Sequence, residues 1–253
     1  MIDSHCHLDF PDFDRDRDKV ISNCIALGVD QIIIPGVSSL QWDKALQLRK
    51  KQSCLRVAIG LHPLFLAQHT TEDLTALDTV LSSNSDIVAV GEIGLDYYLP
   101  DSDRQGQREL FIRQLDIARE HKRPLLLHVR KAHQEAVQIL HEHNHYGGVV
   151  HAFSGSLEQA QQYIEMGFLI GVGGVVTRPN AAKLHRTVRE VSLHSIALET
   201  DAPDLPPVWA RGERNSPEQL PAIAQAIADI RGESLDRVAE ESTKNIVNVL
   251  ELS

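Results

Sequence analysis

Residues 124–151 read PLLLHVRKAHQEAVQILHEHNHYGGVVH, in which an amphipathic stretch separates two short apolar runs that both end in histidine. The runs at 124–128 and 148–151 are continuously apolar, which is typical of parallel strands covered on both faces. The stretch between them, 131–142, has the pattern of an amphipathic helix. This segment therefore predicts one strand–helix–strand unit of an α/β protein.

The same alternation recurs along the whole chain. Eight runs predict strands, at 1–5, 31–35, 56–60, 87–92, 124–128, 148–151, 168–172 and 196–199. Nine stretches predict helices, at 14–27, 41–51, 72–81, 104–121, 131–142, 157–166, 181–191, 217–230 and 235–250. A helix after nearly every strand predicts a single-domain (β/α)8 TIM barrel over residues 1–253, with an extra C-terminal helix. A doubly wound open sheet is the alternative, but its Gly-rich first turn is replaced here by His-Cys-His.

Composition limits the classes of function. The 253 residues are 42% hydrophobic and 24% charged, an ordinary globular balance that argues against disorder. Because 25 Lys and Arg face 35 Asp and Glu, the net charge is −10. Such a charge disfavours wrapping of duplex DNA by bulk attraction, although it permits a local basic rim.

The cysteines, the first residues and the length of the apolar runs predict the cellular location. Three cysteines without a CxxC motif favour a reducing compartment. The first ten residues, MIDSHCHLDF, do not resemble a signal peptide, and the apolar runs are too short to span a bilayer. We therefore expect a cytoplasmic protein that does not enter the membrane, and nothing indicates an obligate protein partner.

Side chains that commonly bind metals stand at the ends of the predicted strands. The carboxyl ends of the strands are where barrel enzymes carry their active sites. Each residue alone has an ordinary structural explanation, such as a buried hydrogen bond or a salt bridge. Together, uncompensated buried ionisable groups would cost several kcal/mol each, and a shared metal centre removes that cost. The predicted ligands are His5, His7, Glu92, His128, His151 and Asp201.

The ligand types narrow the metal and the chemistry. Imidazoles and carboxylates without thiolate suit Zn, Mn, Ni, Co or Fe. Six ligands are too many for one open catalytic zinc, so we expect two ions about 3.5–4 Å apart with a bridging carboxylate. Such a pair activates water, which predicts a hydrolase. Glu199 should face inward beside Asp201 and support the ligands or hold a water.

These residues resemble the TatD-like metal-dependent hydrolases of the amidohydrolase superfamily. The matching segments, in order, are MIDSHCHLDF, AIGLHP, VGEIGLDYY, LLLHVRKA, VVHAFSG, ALETDAPDLPP and RGERNSP. The resemblance implies a TIM barrel with two divalent ions per subunit (Zn, Mn or Mg) and a deoxyribonuclease activity that often trims 3′ ends. It implies one ion on His5, His7, Glu92 and Asp201, with Glu92 bridging to a second on His128 and His151.

Two positions refine this resemblance. Glu92 stands where many binuclear amidohydrolases have a carboxylated lysine, which favours the TatD-like branch. Glu92 and Asp201 are the predicted catalytic carboxylates. Asp201 is the expected proton acceptor from the attacking water, because of its position and the superfamily pattern.

Basic residues after the strands indicate a phosphate substrate. Arginine forks suit phosphate oxygens, and a local positive rim fits a DNA strand end or a small phosphoester better than broad duplex binding. The predicted substrate-binding residues are His62, Arg130, Arg178, Arg211 and Arg214.

Three functions remain open from the sequence. The first is a divalent-metal-dependent phosphodiesterase, a deoxyribonuclease acting on DNA ends. The second is a hydrolase of small amide, lactone or phosphoester substrates on the same metal pair. The third is a barrel that binds a ligand without catalysis, against which the intact ligand set argues.

Overall fold

A single sheet of eight parallel strands organises the protein, in a computed structural model that describes residues 1–145 and 147–252. The strands pair in chain order from first to last. They are β1 (Ile2–Asp3), β2 (Gln31–Ile34), β3 (Leu55–Ile59), β4 (Ile87–Asp96), β5 (Leu125–Arg130), β6 (Gly148–Val150), β7 (Phe168–Val172) and β8 (Ile196–Leu198). The predicted TIM barrel is confirmed.

Backbone hydrogen bonds join the first and last strands. The Ser4 N–H donates to the Leu198 carbonyl oxygen at 2.9 Å, and the Asp201 N–H donates to the His5 carbonyl oxygen at 2.8 Å. The sheet is thereby nearly closed into a barrel. The second of these bonds sets the segment after β8 directly beside the segment after β1, although the two lie almost 200 residues apart.

Helices alternate with the strands and surround the barrel. They are α1 (Arg17–Ala26), α2 (Ser39–Lys51), α3 (Thr71–Ser83), α4 (Arg104–Glu120), α5 (His133–Glu142), α6 (Leu157–Glu165), α7 (Ala182–Glu190), α8 (Leu220–Arg231) and α9 (Leu235–Val249). Two helices follow β8, as predicted. Within the described residues, no helix is both long and apolar enough to cross a membrane.

The additional helix α9 closes the floor of the barrel. Each strand contributes one apolar side chain to the floor, and two residues pack against this layer: Ile246 of α9 and Leu250 directly after α9. The eight strand residues are Ile2, Ile33, Ala58, Ala89, Leu126, Val149, Leu169 and Ala197. Because apolar side chains fill the amino-terminal end of the barrel, polar side chains that point inward collect at the other end.

Strand β4 departs most from its prediction, because it continues four residues beyond Glu92. Its register with β5 shifts between Gly91 and Ile93, so Glu92 is an extra residue in a bulge. Pairing then resumes as far as Asp96, which stands opposite Arg130. Bulges re-aim side chains. This one leaves Glu92 and Asp96 as buried carboxylates at the same end of the barrel.

A candidate metal centre at the carboxyl ends of the strands

The carboxylate of Glu92 lies at the centre of the polar cluster. Its Oε2 atom is 3.2 Å from His5 Nε2 and 3.5 Å from His7 Nε2. Asp201 Oδ1 lies 3.7 Å from each of the same two nitrogens. Four ligands bound at about 2.1 Å around a tetrahedral ion lie about 3.4 Å apart. The first group of donors therefore has the spacing of a metal site.

The other oxygen of Glu92 faces a different set of imidazoles. Glu92 Oε1 is 2.8 Å from His128 Nδ1, 2.8 Å from His151 Nε2 and 3.1 Å from His62 Nε2. The nitrogens of His128 and His151 that face it are 3.1 Å from each other. One carboxylate thus stands between two groups of histidines, with one oxygen turned to each.

The donor set fits divalent metal ions. Three groups of these side chains bring their ligand atoms within 4.8 Å of one another and could hold an ion. They are His5, Glu92 and His151; His5, His7 and Asp201; and His62, Glu92 and His128. Both ring nitrogens of His5 are buried and have no hydrogen-bond partner within the described residues, which is costly for polar atoms without a ligand.

The charges in the cluster favour a cation. Burial opposes ionisation of Glu92, but the surrounding imidazoles of His151, His62 and His5 outweigh it and hold the pKa of Glu92 well below its usual range. Burial also opposes a charge on His151, yet Glu92 raises the pKa of that ring to about 10. Without metal, the site therefore attracts protons. A metal ion competes for the same positions.

Asp96, which the sequence analysis missed, orients one of the imidazoles. Its Oδ2 atom is 2.8 Å from His128 Nε2, opposite the nitrogen that faces Glu92. The buried side chain of Gln107 on α4 holds Asp96 in turn, accepting from its N–H at 2.8 Å and donating to its carbonyl oxygen at 3.0 Å. A strand prediction that ended at Glu92 hid this residue; the polar Asp96 after the apolar run 93–95 was the available signal.

A buried network behind the site fixes the segment that carries Asp201. Asp3 accepts hydrogen bonds from the Thr200 N–H at 3.0 Å and the Thr200 hydroxyl at 2.6 Å. The amide of Asn215, from the segment RGERNSP, donates to the carbonyl oxygens of Thr200 at 2.8 Å and Asp204 at 2.7 Å. Hydrogen bonds thus fix the chain both before Asp201, at Thr200, and after it, at Asp204.

Glu199 lines the cavity beside the cluster, as expected from the sequence. Its Oε1 atom accepts a hydrogen bond from the Ala152 N–H at 2.6 Å, whereas Oε2 has no partner within the described residues. Gly171 on β7 leaves room for it, because a Cβ atom there would overlap Glu199 Oε2. Burial, the largest influence, raises the pKa of Glu199 to about 8.

The cluster lies at the bottom of a cavity of about 740 Å³, which we call the metal cavity. Its polar floor includes Glu92, His128 and Asp201, and apolar side chains form much of its wall. The apolar members include Phe10, Val37, Leu64, Phe65, Phe153, Val175 and Leu205. A volume of this size suits a nucleotide-sized ligand.

The predicted substrate-binding residues have different positions. His62 belongs to the cluster itself, because it faces Glu92. Arg130 lines the metal cavity, with its guanidinium 3.6 Å from the centre of the Tyr98 ring. Arg178 and Arg211 lie outside the cavity lining formed by the described residues, and Arg178 instead donates to the Pro206 carbonyl oxygen at 3.5 Å.

Arg214 is engaged elsewhere. It forms two hydrogen bonds with the Asp16 carboxylate, at 2.8 and 2.7 Å, and one with the Asp12 carbonyl oxygen at 2.7 Å. The paired guanidinium joins the segment after β8 to the start of α1, so it does not extend the rim of the cavity as expected. The cation that the sequence analysis missed is Lys183 on α7, which lines the metal cavity; its position after β7 was the signal.

Comparison with known proteins agrees with this arrangement. A family model described as "TatD related DNase" matches residues 2–251. Over 247 residues, the chain is 37% identical to the uncharacterized metal-dependent hydrolase YjjV of Escherichia coli strain K12, covering 97% of this chain and 95% of that protein. It is 34% identical to the uncharacterized metal-dependent hydrolase YabD of Bacillus subtilis strain 168, covering 97% and 96%.

A solved structure shows the same fold. The crystal structure of YjjV, a TatD homolog from Escherichia coli K12, matches with a TM-score of 0.96 and 35% identity, covering 100% of this chain and 98% of that one. The barrel, its ligand cluster and these relatives define a metal-dependent hydrolase. Within that class, the chain belongs to the TatD-related DNase family, which confirms the resemblance found in the sequence.

Proposed function

We propose that the protein is a divalent-metal-dependent phosphodiesterase, a deoxyribonuclease that acts on the ends of DNA strands. The observation that carries this proposal is that the two oxygens of Glu92 face different histidines. Oε2 faces His5 and His7, and Oε1 faces His128 and His151. A carboxylate so placed can bridge two ions. Its side chain is only 2% exposed, which keeps water from competing for these oxygens.

The proposed ligands form two sets that share Glu92. His5, His7 and Asp201 complete the first set, and His128 and His151 complete the second. His62 also faces Glu92 and belongs with the second set by position. Two bound ions would lower the pKa of a shared water and stabilise negative charge on phosphate oxygens.

Asp201 is the proposed proton acceptor. Its side chain is 11% exposed, compared with 2% for Glu92, and it lines the metal cavity. It is therefore more accessible to solvent and substrate than Glu92 is. Glu92 stays an anion and holds its neighbours in place, while Asp201 takes the proton of the attacking water.

The phosphate group is proposed to contact cations at the wall of the metal cavity. Arg130 and Lys183 line it and are exposed to solvent. Within the described residues, neither has a carboxylate within 4.0 Å. Their charge is therefore free for a phosphate, which favours a phosphoester over an amide or lactone substrate. Arg178, Arg211 and Arg214 lie outside this wall, so we give them no part in the phosphate contact.

A substrate panel tests the proposal. Purified protein supplied with Mg, Mn or Zn is offered end-labelled single-stranded DNA, nucleotides, and a set of lactones and amides. We expect release of nucleotides from a DNA end, and loss of this activity in His128→Ala. His121→Ala is the matched control, because that ring pairs with Asp78 on α3. Intact DNA together with cleavage of a lactone or an amide would overturn the proposal.

A further inference from the structure

A second cavity of about 520 Å³ opens beside the metal cavity, and we call it the side cavity. The loops after β4, β5 and β6 form its wall, together with Lys183 from α7. Ser154, Gly155 and Lys183 line both cavities. A ligand that leaves the metal cavity along these shared residues therefore enters the side cavity.

The side cavity carries positive charge. Arg104, Lys131 and Lys183 line it, and all three are exposed. Within the described part of the chain, none of them has a carboxylate within 4.0 Å. The acid in the lining, Glu135, is already paired with Arg108 at 3.2 Å. On a protein with a net charge of −10, this leaves an unusual local excess of cations.

Aromatic rings contact two of these cations, Arg104 and Lys131, without neutralising them. The Lys131 ammonium lies 4.7 Å from the centre of the Tyr98 ring, beside the Arg130 guanidinium at 3.6 Å from the same ring. The Arg104 guanidinium lies 4.7 Å from the centre of the Tyr97 ring. Such contacts orient a cation but leave its charge available to an anion. Arg130 connects this row to the metal cavity.

The start of helix α5 provides hydrogen-bond donors. Helix α5 begins in the same wall, at His133, without a side-chain cap. The free N–H groups of a first helical turn favour an anion. Unpaired cations and an uncapped helix together match phosphate oxygens.

We propose that the side cavity binds the phosphodiester backbone of a single-stranded nucleic acid whose end occupies the metal cavity. The inference rests on the proposed function and adds to it a second binding site, which holds the strand beyond the nucleotide in the metal cavity. The Arg104, Lys131 and Lys183 side chains contact successive phosphates as the strand leaves the metal cavity. Because contacts of this kind are with the backbone, they carry little base preference.

Binding measured by fluorescence anisotropy tests this without turnover. A series of labelled single-stranded oligonucleotides of increasing length is titrated against the full chain with metal, carrying Asp201→Asn to prevent cleavage. Affinity should rise with length until the strand fills the side cavity. Adding Arg104→Gln and Lys131→Gln should weaken binding of the longer strands about tenfold, and lower the slope of log K against log salt by about 1.4.

The matched control carries Lys50→Gln and Lys51→Gln. These exposed lysines lie at the end of α2, at the opposite end of the barrel, and the pair changes the net charge equally. The control should bind the oligonucleotides with the same affinity as the protein that carries Asp201→Asn alone. Equal weakening in both double variants would show a general charge effect and overturn the inference, as would unchanged binding by the Arg104→Gln, Lys131→Gln protein.

Kinetics separate this inference from the proposed function. With the catalytic site intact, the ratio of kcat/KM for an oligonucleotide to that for bis(4-nitrophenyl) phosphate should fall about tenfold in the Arg104→Gln, Lys131→Gln variant. If the wild-type protein cleaves oligonucleotides and the ratio is the same in wild type and variant, the proposed role of the side cavity is overturned, whereas the proposed function is not affected. A wild-type protein that neither binds nor cleaves oligonucleotides would overturn the proposed function as well.

Discussion

Nε2 of His128 lies 2.8 Å from Asp96 Oδ2, and Nδ1 of the same ring lies 2.8 Å from Glu92 Oε1. An ionised carboxylate accepts a hydrogen bond, so Asp96 keeps the proton of a neutral His128 on Nε2. The lone pair on Nδ1 then points at the centre of the cluster. Asp96 therefore selects the ring form that can bind a metal, a relationship common behind metal-binding histidines.

Replacement of this partner should weaken the site. In Asp96→Asn, the new amide can donate to Nε2 and move the proton to Nδ1, where it blocks ligation. We expect about a 10–100-fold loss in metal affinity or kcat/KM with the fold retained. Mass spectrometry measures the metal content, and circular dichroism shows whether the fold is retained. Asp101→Asn, in the exposed loop after β4, is the control, and a normal metal content in Asp96→Asn would contradict the assignment.

Glu92→Gln tests the bridge itself. An amide has one oxygen instead of two equivalent ones and carries no charge, so it cannot join the two ligand groups equally. We expect fewer bound ions per chain and loss of measurable turnover. Equilibrium dialysis gives the stoichiometry. A protein with unchanged metal content and activity would show that Glu92 does not hold the ions together.

Removal of metal should lower stability as well as activity. Ions that bind only the folded chain stabilise it by about 2.7 kcal/mol when their concentration is 100 times Kd. For a chain of this length, that corresponds to a fall in Tm of about 5–10 °C on adding a chelator. Differential scanning fluorimetry measures the shift, and added Mn or Zn should restore it. Equal melting with and without chelator would argue against a tightly held ion.

Asn215 should be needed to position Asp201. Its buried amide bonds two carbonyl oxygens, so Asn215→Ala leaves both without a donor and should destabilise the fold by about 1–3 kcal/mol. Because Thr200 precedes Asp201, metal affinity should fall too. Asn84→Ala is the control, since that amide donates to the Val80 carbonyl oxygen in the last turn of α3, far from the cluster. If the two variants had equal metal affinity, Asn215 would have only a structural role.

Acid should destabilise the protein partly through His133. Burial, with a smaller effect from His128, lowers the pKa of this ring from 6.5 to about 4. The unfolded chain therefore binds the proton more readily, and stability is lost as the pH falls from about 6.5 towards 4, by about 3 kcal/mol at most. Urea unfolding at pH 7 and pH 5 should show a smaller loss in His133→Leu than in wild type. Equal losses of stability in the two proteins would show that His133 does not contribute to destabilisation by acid.

Much of the fold and site could be predicted because the signals are local. Apolar runs such as 124–128 identify strands by themselves, and parallel strands bring their carboxyl ends together whatever the loops do. His5, Glu92, His128 and Asp201 could therefore be expected to lie close together from the sequence alone. Their meeting is a consequence of barrel topology, which needs only the order of the elements.

The sequence by itself determined the barrel, the identity of the clustered residues and the family. The tertiary structure alone decided how they are used, because that depends on register and on contacts between distant segments. A one-residue bulge in β4 turns Glu92 between two groups of histidines and brings Asp96 behind His128. Pairing of Arg214 with Asp16, 198 residues away, removes from the rim a cation that sequence position had placed there.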